Sequence, residues 1–397
     1  MGSIQIACCV LLLTLSVALS ICAHNEDREP TNIAIIGEGV IGLSTAMAIK
    51  EMDPTAEITI FSDRPFDKIL SKGIAGLFRI DKSTPLQRLY GNDTFTHLAK
   101  LWRTLGGFSG VQLLSGHILS ENKEFLRDQE RAYADIVYNF HFLDDRELKS
   151  QFGMKDGDKT SGIHYTAFTS EGARYCPWMK KQLLANGVKF FERKIESLDE
   201  LADDGFPIVV NCAGMNGAQL AGDDYDLYPT RGILLKVDAP WQKHLLMRNT
   251  TTFTIPTIGA VYVGTVKEEH KDSMKITKEE IDHLWDRYLQ LQPSFKDVKI
   301  LDHFVGLRPA RAMVRVEAET RTTPSGKTYK VVHNYGHGGS GFTLGWGTAL
   351  HASSLVLNLP VDRYEGPRAA EMLLKKPKRR AGYTSLRLNS GLARSRL

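Results

Sequence analysis

Residues 33–50 read IAIIGEGVIGLSTAMAIK, and this stretch decides the fold. An apolar run, Ile33-Ala34-Ile35-Ile36, meets the glycine turn Gly37-Glu38-Gly39-Val40-Ile41-Gly42, and helical sequence follows. Strand, glycine turn and helix in that order make a dinucleotide fingerprint. The first glycine allows the tight turn, the second lets backbone approach a pyrophosphate, and the third lets helix and strand pack closely. The helix start offers unpaired N–H groups and a positive dipole end to the phosphates. Ile58-Thr59-Ile60-Phe61 reads as the next strand, and Asp63 lies at its end, where a ribose-binding acid is expected. Glu38 adds a carboxylate to this turn. Its side chain is expected to point away from the phosphate, although it competes for the same positive end.

The chain has 397 residues, enough for one large or two modest domains with ample core. At 42% hydrophobic and 24% charged residues it has an ordinary globular composition. The formal net charge of +4 is uneven: from Lys375 onward there are only basic charges, so the body is slightly acidic. The first 23 residues carry no charged side chain. They hold an apolar run from Ile6 to Leu19 and end in small residues at Ala23, which reads as a secretory signal peptide over 1–23, with an uncleaved anchor as the alternative. Nothing else in the sequence is apolar enough to span a bilayer. Of five cysteines, only Cys176 and Cys212 lie beyond that segment, too few for a disulfide framework, and Cys212 reads as a core thiol. Asn92 and Asn249 head glycosylation sequons.

Residues 96–106 and 123–140 show mixed helical periodicity. A helix is expected from Pro177 to Gly187, with strands over 188–191, 206–211, 231–238 and 260–266. Lys278 to Gln292 is an amphipathic helix, and 331–352 reads strand, glycine loop, helix. Nucleotide-type segments at both ends and in the middle imply interleaved domains. The expected fold class is α/β: a Rossmann-like dinucleotide-binding domain (31–80, 160–222, 302–360) interleaved with a mixed, antiparallel-sheet substrate domain (81–159, 223–301), then a basic tail over 361–397.

The second glycine loop stands in VVHNYGHGGSGFTLGWGTAL, residues 331–350. It resembles the signature of the D-amino-acid oxidase and D-aspartate oxidase flavoproteins. Further matches are GVIGLSTA, Ser62-Asp63-Arg64, GVKFFERKIES at 187–197, IVVNCAG at 208–214, Arg231-Gly232, DAPW at 238–241 and VGLRPAR at 305–311. The resemblance implies FAD rather than NAD. Carried onto this sequence, it places Gly37, Gly39, Val40, Ile41 and Gly42 on the pyrophosphate, and Asp63 and Arg64 on the adenosine side. Ser71, Gly76 and Leu77 would lie along the cofactor, Ile195 by the adenine, and Gly338, Gly339, Ser340, Gly341, Phe342 and Thr343 at the flavin ring. Backbone and hydroxyl donors there stabilise the reduced ring.

The reaction implied is oxidative deamination of a D-amino acid by hydride transfer, giving a 2-oxo acid and ammonia, with oxygen as the second substrate and hydrogen peroxide as product. The site then has to align the substrate Cα and anchor its α-carboxylate. Arg308 matches the family's carboxylate-binding arginine, and a planar guanidinium suits that bidentate grip. Gly339 matches the position whose carbonyl accepts from the amine. His333 and His337 flank the loop and read as structural, since the mechanism needs no base.

An acidic substrate needs a further cation, because its second carboxylate must be paired to leave water. Ile255 stands where a tyrosine precedes Pro256 in the family. Val266 stands at the aspartate enzymes' pocket arginine, and alternation turns the adjacent Lys267 to the other face. Arg248 and Arg79 are the other candidate cations. Together they favour D-aspartate or D-glutamate over neutral D-amino acids. An inactive secreted binding protein is the third reading. The resemblance implies no metal and no nucleic-acid partner. The basic run KKPKRR at 375–380 reads as a solvated tail. The terminal Ser395-Arg396-Leu397 resembles a peroxisomal address, the alternative to secretion.

Overall fold

The computed structural model describes residues 31–374. The apolar leader at 1–23, the basic run from Lys375 and the terminal Ser395-Arg396-Leu397 lie outside the described residues. Among the described residues, fourteen strands form one sheet. In chain order they are β1 (Asn32–Ile36), β2 (Glu57–Ser62), β3 (Val111–Ser120), β4 (Tyr138–Phe142), β5 (Ser161–Ser170), β6 (Lys189–Glu192), β7 (Ile208–Asn211), β8 (Tyr228–Val237), β9 (Leu245–Arg248), β10 (Thr252–Pro256), β11 (Val261–Gly264), β12 (Glu268–Glu269), β13 (Ile300–Thr322) and β14 (Thr328–His337). The helices that matter to the site are α1 (Val40–Met52), α2 (Pro85–Leu105), α3 (Gly172–Ala185), α4 (Lys278–Leu291) and α5 (Gly341–Val356).

One end of the sheet is parallel, in the order β14-β7-β1-β2-β6. β1 lies inside it, with Ile33, Ala34 and Ile35 fully buried, as expected of a strand covered on both faces. The other end, β8, β11, β10, β9, β3, β5 and β4, is antiparallel except for the parallel β9–β3 pair. β13 joins the two. Its first half pairs with β8 from Ile300 to Ala310, and its second half pairs with β14 to Thr322. An α/β fold with a parallel nucleotide-type end and an antiparallel end is therefore what the chain adopts.

Several local expectations shift. α3 starts at Gly172, five residues before Pro177, and runs through the proline. Its N-terminus presses on the Ser71 backbone so closely that a Cβ at Gly172 would lie 1.8 Å from the Ser71 carbonyl oxygen. The stretch 123–140 divides into a helix, Lys123–Tyr133, and the edge strand β4. β5 begins the segment assigned to the nucleotide domain, yet it is hydrogen-bonded to β3 and β4. Residues 362–374, grouped with the tail, are a helix packed on α2: Arg363 pairs with Asp93 at 2.8 Å, and buried Tyr364 stacks on His351. Cys176 and Cys212 are buried free thiols. Among the described residues no helix is long and apolar enough to cross a membrane.

Candidate active site

A cavity of about 890 Å3 runs from the end of β2, past the glycine turn, to the middle of β13. Its floor at the turn is backbone. Gly37 holds φ +112°, and a Cβ there would lie 2.4 Å from the Cys212 carbonyl oxygen, so only glycine fits. α1 has no side-chain cap at Gly39 and no acid in its first turn. Ser71 Oγ takes the Val40 N–H at 3.0 Å; Gly39 and Ile41 on either side line the cavity, and the first-turn N–H groups of a helix have no intrahelical partner. That donor set fits a pyrophosphate. Gly39, Val40 and Ile41 line the cavity, but Gly42 does not: a Cβ at Gly42 would meet the Gly37 carbonyl oxygen at 1.9 Å. Gly42 is thus a packing glycine rather than a cofactor contact.

Glu38 is not a solvent-facing group. It is only 8% exposed, and its carboxylate accepts from Lys180 Nζ of α3 at 2.8 Å. Lys180 also sits 4.7 Å from the centre of the Phe190 ring. The negative charge in the turn is balanced by a residue 142 positions away.

Asp63 and Arg64 lie at the cavity's outer end with Ile195. Arg64 Nε donates to Asp63 at 2.8 Å, and that bond, against some burial, holds the Asp63 carboxyl below its ordinary range. Ser71, Gly76 and Leu77 follow along one wall. The opposite wall is the Gly338–Ser340 turn and the start of α5, with Gly341, Phe342 and Thr343. Thr343 Oγ1 accepts from the Arg79 backbone N–H at 3.3 Å and ties that wall to the Leu77 segment.

Arg308 stands on β13 beside this turn; a Cβ on Gly339 would lie 3.6 Å from its Cδ. Its guanidinium has only long contacts, to the Arg231 carbonyl at 3.4 Å and Thr265 Oγ1 at 3.3 Å. It makes no ion pair among the described residues, and burial lowers its pKa from the usual arginine value, with Asp81 opposing. A desolvated cation without an anion is costly unless a ligand supplies one.

The other cations separate. Arg79 lines the cavity but is already paired with Asp81 and donates to Gln129 at 2.9 Å. Burial pushes the Asp81 carboxyl up, but Arg79, the Ser340 hydroxyl and Lys267 together hold it below the ordinary range. Lys267 lines the cavity without an ion pair among the described residues, while Val266 turns away to pack against the α4 face. Arg248 does not line the cavity. Met247 does, and strand alternation points the adjacent Arg248 to the opposite face. Ile255, Phe253 and Met247 form the apolar wall. Asp81, Thr265 and Met247 were missed from sequence. For Asp81 a signal existed, since residues two apart on an extended segment share a side.

Neither loop histidine is poised as a base. His337 is buried against Thr348 at 3.0 Å, and burial lowers its pKa to about 3. His333 bridges Glu319 at 2.9 Å and Asn211 at 3.3 Å.

Residues 32–355 match the family model described as "DAO: FAD dependent oxidoreductase". The chain belongs to this family. Its cofactor is accordingly FAD, which the glycine turn and the continuous cavity suit. The chain is 50% identical over 326 residues to D-aspartate oxidase 1 of Caenorhabditis elegans, covering 82% of this chain and 96% of that one. It is 33% identical to the D-aspartate oxidase of Homo sapiens, over 83% and 95% of the two chains. Among solved structures, the glycine oxidase of Geobacillus kaustophilus superposes with a TM-score of 0.68 at 18% identity, covering 83% of this chain and 96% of that one; it shares the family fold.

Proposed function

We propose that the chain oxidises acidic D-amino acids, with D-aspartate and D-glutamate as substrates. The reaction is oxidative deamination: the substrate loses its Cα hydrogen with two electrons, and the resulting imine is hydrolysed to a 2-oxo acid and ammonia. Bound FAD supplies the electron acceptor, and oxygen then takes the electrons to give hydrogen peroxide. The residues of this chain bind and orient. Arg308 grips the α-carboxylate in a bidentate pair. The Gly339 carbonyl accepts from the substrate amine. Together they present Cα to the cofactor along the Gly338–Thr343 wall. The parallel end of the sheet then serves the cofactor and the antiparallel end the substrate.

The observation that carries the reading is the half-buried Arg308 guanidinium beside Gly339, which has no anionic partner among the described residues. The acidic preference rests on Lys267. Arg248 faces away and Arg79 is neutralised by Asp81, so Lys267 is the candidate cation left to pair a second carboxylate. Similarity to proteins named D-aspartate oxidase supports the same class. Peroxide production on D-aspartate, D-glutamate and D-alanine tests it; a tenfold preference for D-alanine would end the acidic reading. Anaerobic bleaching of the flavin by D-aspartate separates an oxidase from a binding protein.

Export through the secretory pathway is part of the same proposal, supported by the uncharged leader and by exposed Asn92 and Asn249. Expression in a eukaryotic secretory host checks it: protein in the medium with glycosidase-sensitive mobility is expected, and retention inside the cell counts against it.

A further inference from the structure

A second cavity, of about 450 Å3, opens where β3, β4 and β5 meet, and it shares no lining residue with the first. Three histidines line it from three neighbouring strands. His141 of β4 is directly opposite His164 of β5, and His164 is directly opposite His117 of β3. Directly opposed residues share a face, and neighbouring strands stand about 4.8 Å apart. The rings follow that spacing: centroids are 4.8 Å apart for His117–His164 and 5.1 Å for His141–His164. Glu147 closes one side, and His244 stands behind His117 with ring centroids 6.1 Å apart.

We propose that His117, His141 and His164, with Glu147, form a site for one divalent transition-metal ion of the zinc class. The backbone register carries this first, because it sets three imidazoles in a row regardless of their rotation. The donor spacing carries it next. His164 Nδ1 and His117 Nε2 are 3.1 Å apart, and His141 Nε2 and Glu147 Oε1 are 3.3 Å apart. Two ligands of a tetrahedral zinc, each at about 2.0–2.1 Å, stand roughly 3.3–3.4 Å from one another. Each pair therefore already has the span of one tetrahedral edge. A metal ion takes the place of the single proton that the two histidine nitrogens share.

The two pairs do not yet meet: among the described residues no three ligating groups converge on one centre. His141 and Glu147 are the residues that move. His141 lies on the edge strand with its side chain 48% exposed, and metal binding requires its ring and the Glu147 side chain both to turn toward the His117–His164 pair. Three imidazoles and one carboxylate select zinc, cobalt, nickel or copper over magnesium or calcium. The bound ion cross-links three strands at the outer edge of the sheet, where β4 has only one neighbour.

The test uses full-length, FAD-loaded protein without an affinity tag. It is equilibrated with zinc chloride, gel-filtered into metal-free buffer and analysed by atomic emission, with magnesium chloride as control. Cobalt chloride adds a spectroscopic readout, tetrahedral d–d bands to the red of the flavin. One equivalent of zinc per chain is expected, together with a zinc-dependent rise in melting temperature. His164→Ala and His141→Ala should each weaken binding tenfold or more. His141→Ala, on the exposed edge, should keep wild-type flavin content and oxidase activity, so loss of metal there is not loss of fold. Retention of less than a tenth of an equivalent by the wild type overturns the proposal. So does equal binding by the wild type and both variants.

Discussion

Replacing Arg308 with leucine should abolish activity while making the resting enzyme more stable. The guanidinium is half-buried, has no carboxylate partner among the described residues, and holds two long hydrogen bonds at 3.3 and 3.4 Å. Those bonds contribute about 1 kcal/mol together. Thr265 Oγ1 keeps other partners, since it accepts from Ile233 N–H at 3.2 Å and donates to the Val266 carbonyl. Against that small loss stands relief from a partly desolvated charge, which for a half-buried cation is about 2 kcal/mol after relaxation. The expected net is about 1 kcal/mol of added stability, or a rise of about 2 °C in Tm for a chain of this size. The catalytic loss runs the other way. Losing a buried charge partner of the substrate costs about 2–5 kcal/mol, which is roughly 30- to 5000-fold in kcat/KM at about 1.4 kcal/mol per decade. Peroxide-coupled kinetics on D-aspartate and a melting curve of the holoenzyme measure both, with flavin absorbance as the control for cofactor retention. A variant that keeps more than a tenth of wild-type kcat/KM, or that melts several degrees lower, refutes the reasoning.

Lys267→Met should lower kcat/KM on D-aspartate at least tenfold and change that on D-alanine less than threefold, read by the same assay; equal effects on both would remove Lys267 from the substrate's second carboxylate. Glu38→Gln keeps the side-chain shape and an acceptor for Lys180 but removes the negative charge that balances it, so a loss of about 1–2 kcal/mol in stability is expected, with the FAD dissociation constant moving less than tenfold by flavin-fluorescence titration. Acid should destabilise the fold early. Burial holds His97, His337 and His351 near 3, below the unfolded value of about 6.5, so the unfolded chain binds more protons between those limits. Their stability contribution is complete above about pH 6.5 and falls as pH drops toward 3, each group adding a slope of up to about 1.4 kcal/mol per pH unit; denaturant melts at pH 7.5, 6 and 5 check the sign.

The features legible in sequence were those that backbone geometry dictates. Gly37, whose Cβ the Cys212 carbonyl would block, and Gly338, at a positive φ, announce themselves because their turns favour glycine. Arg308 was marked by its motif, not by any local pattern of charge. What the sequence hid depends on distant pairing. Glu38 looked like a lone charge because Lys180 approaches from another helix, across 142 positions. Arg248 and Lys267 could not be separated in sequence because strand phase decides which side chain enters the cavity, and a one-residue uncertainty in phase reverses the answer. Arg79 is paired by Asp81, two residues along the same segment. The histidine ladder needed the register of three strands, which no single segment encodes.

β13 gives the molecule a fixed ruler. Arg308 lies two residues before Ala310, where the strand is paired at once with β8 and with β14. The distance from the proposed carboxylate anchor to the Gly338–Thr343 wall is therefore set by covalent backbone, by the ladder to β8, and by the single Ala310–His337 pair to β14, beyond which the register is irregular up to Arg315. The residues that would read a substrate's side chain stand on β9, β10, β11 and the segment after β11, strung from the far side of β8. Reach and taste are thus built from separate parts. Substitutions at Lys267, Ile255 or Met247 can retune which amino acid is accepted while the spacing of the reaction stays as it was. A single-residue deletion between Gly306 and Ala310 would do the reverse, turning Arg308 out of the cavity and ending turnover for every substrate alike.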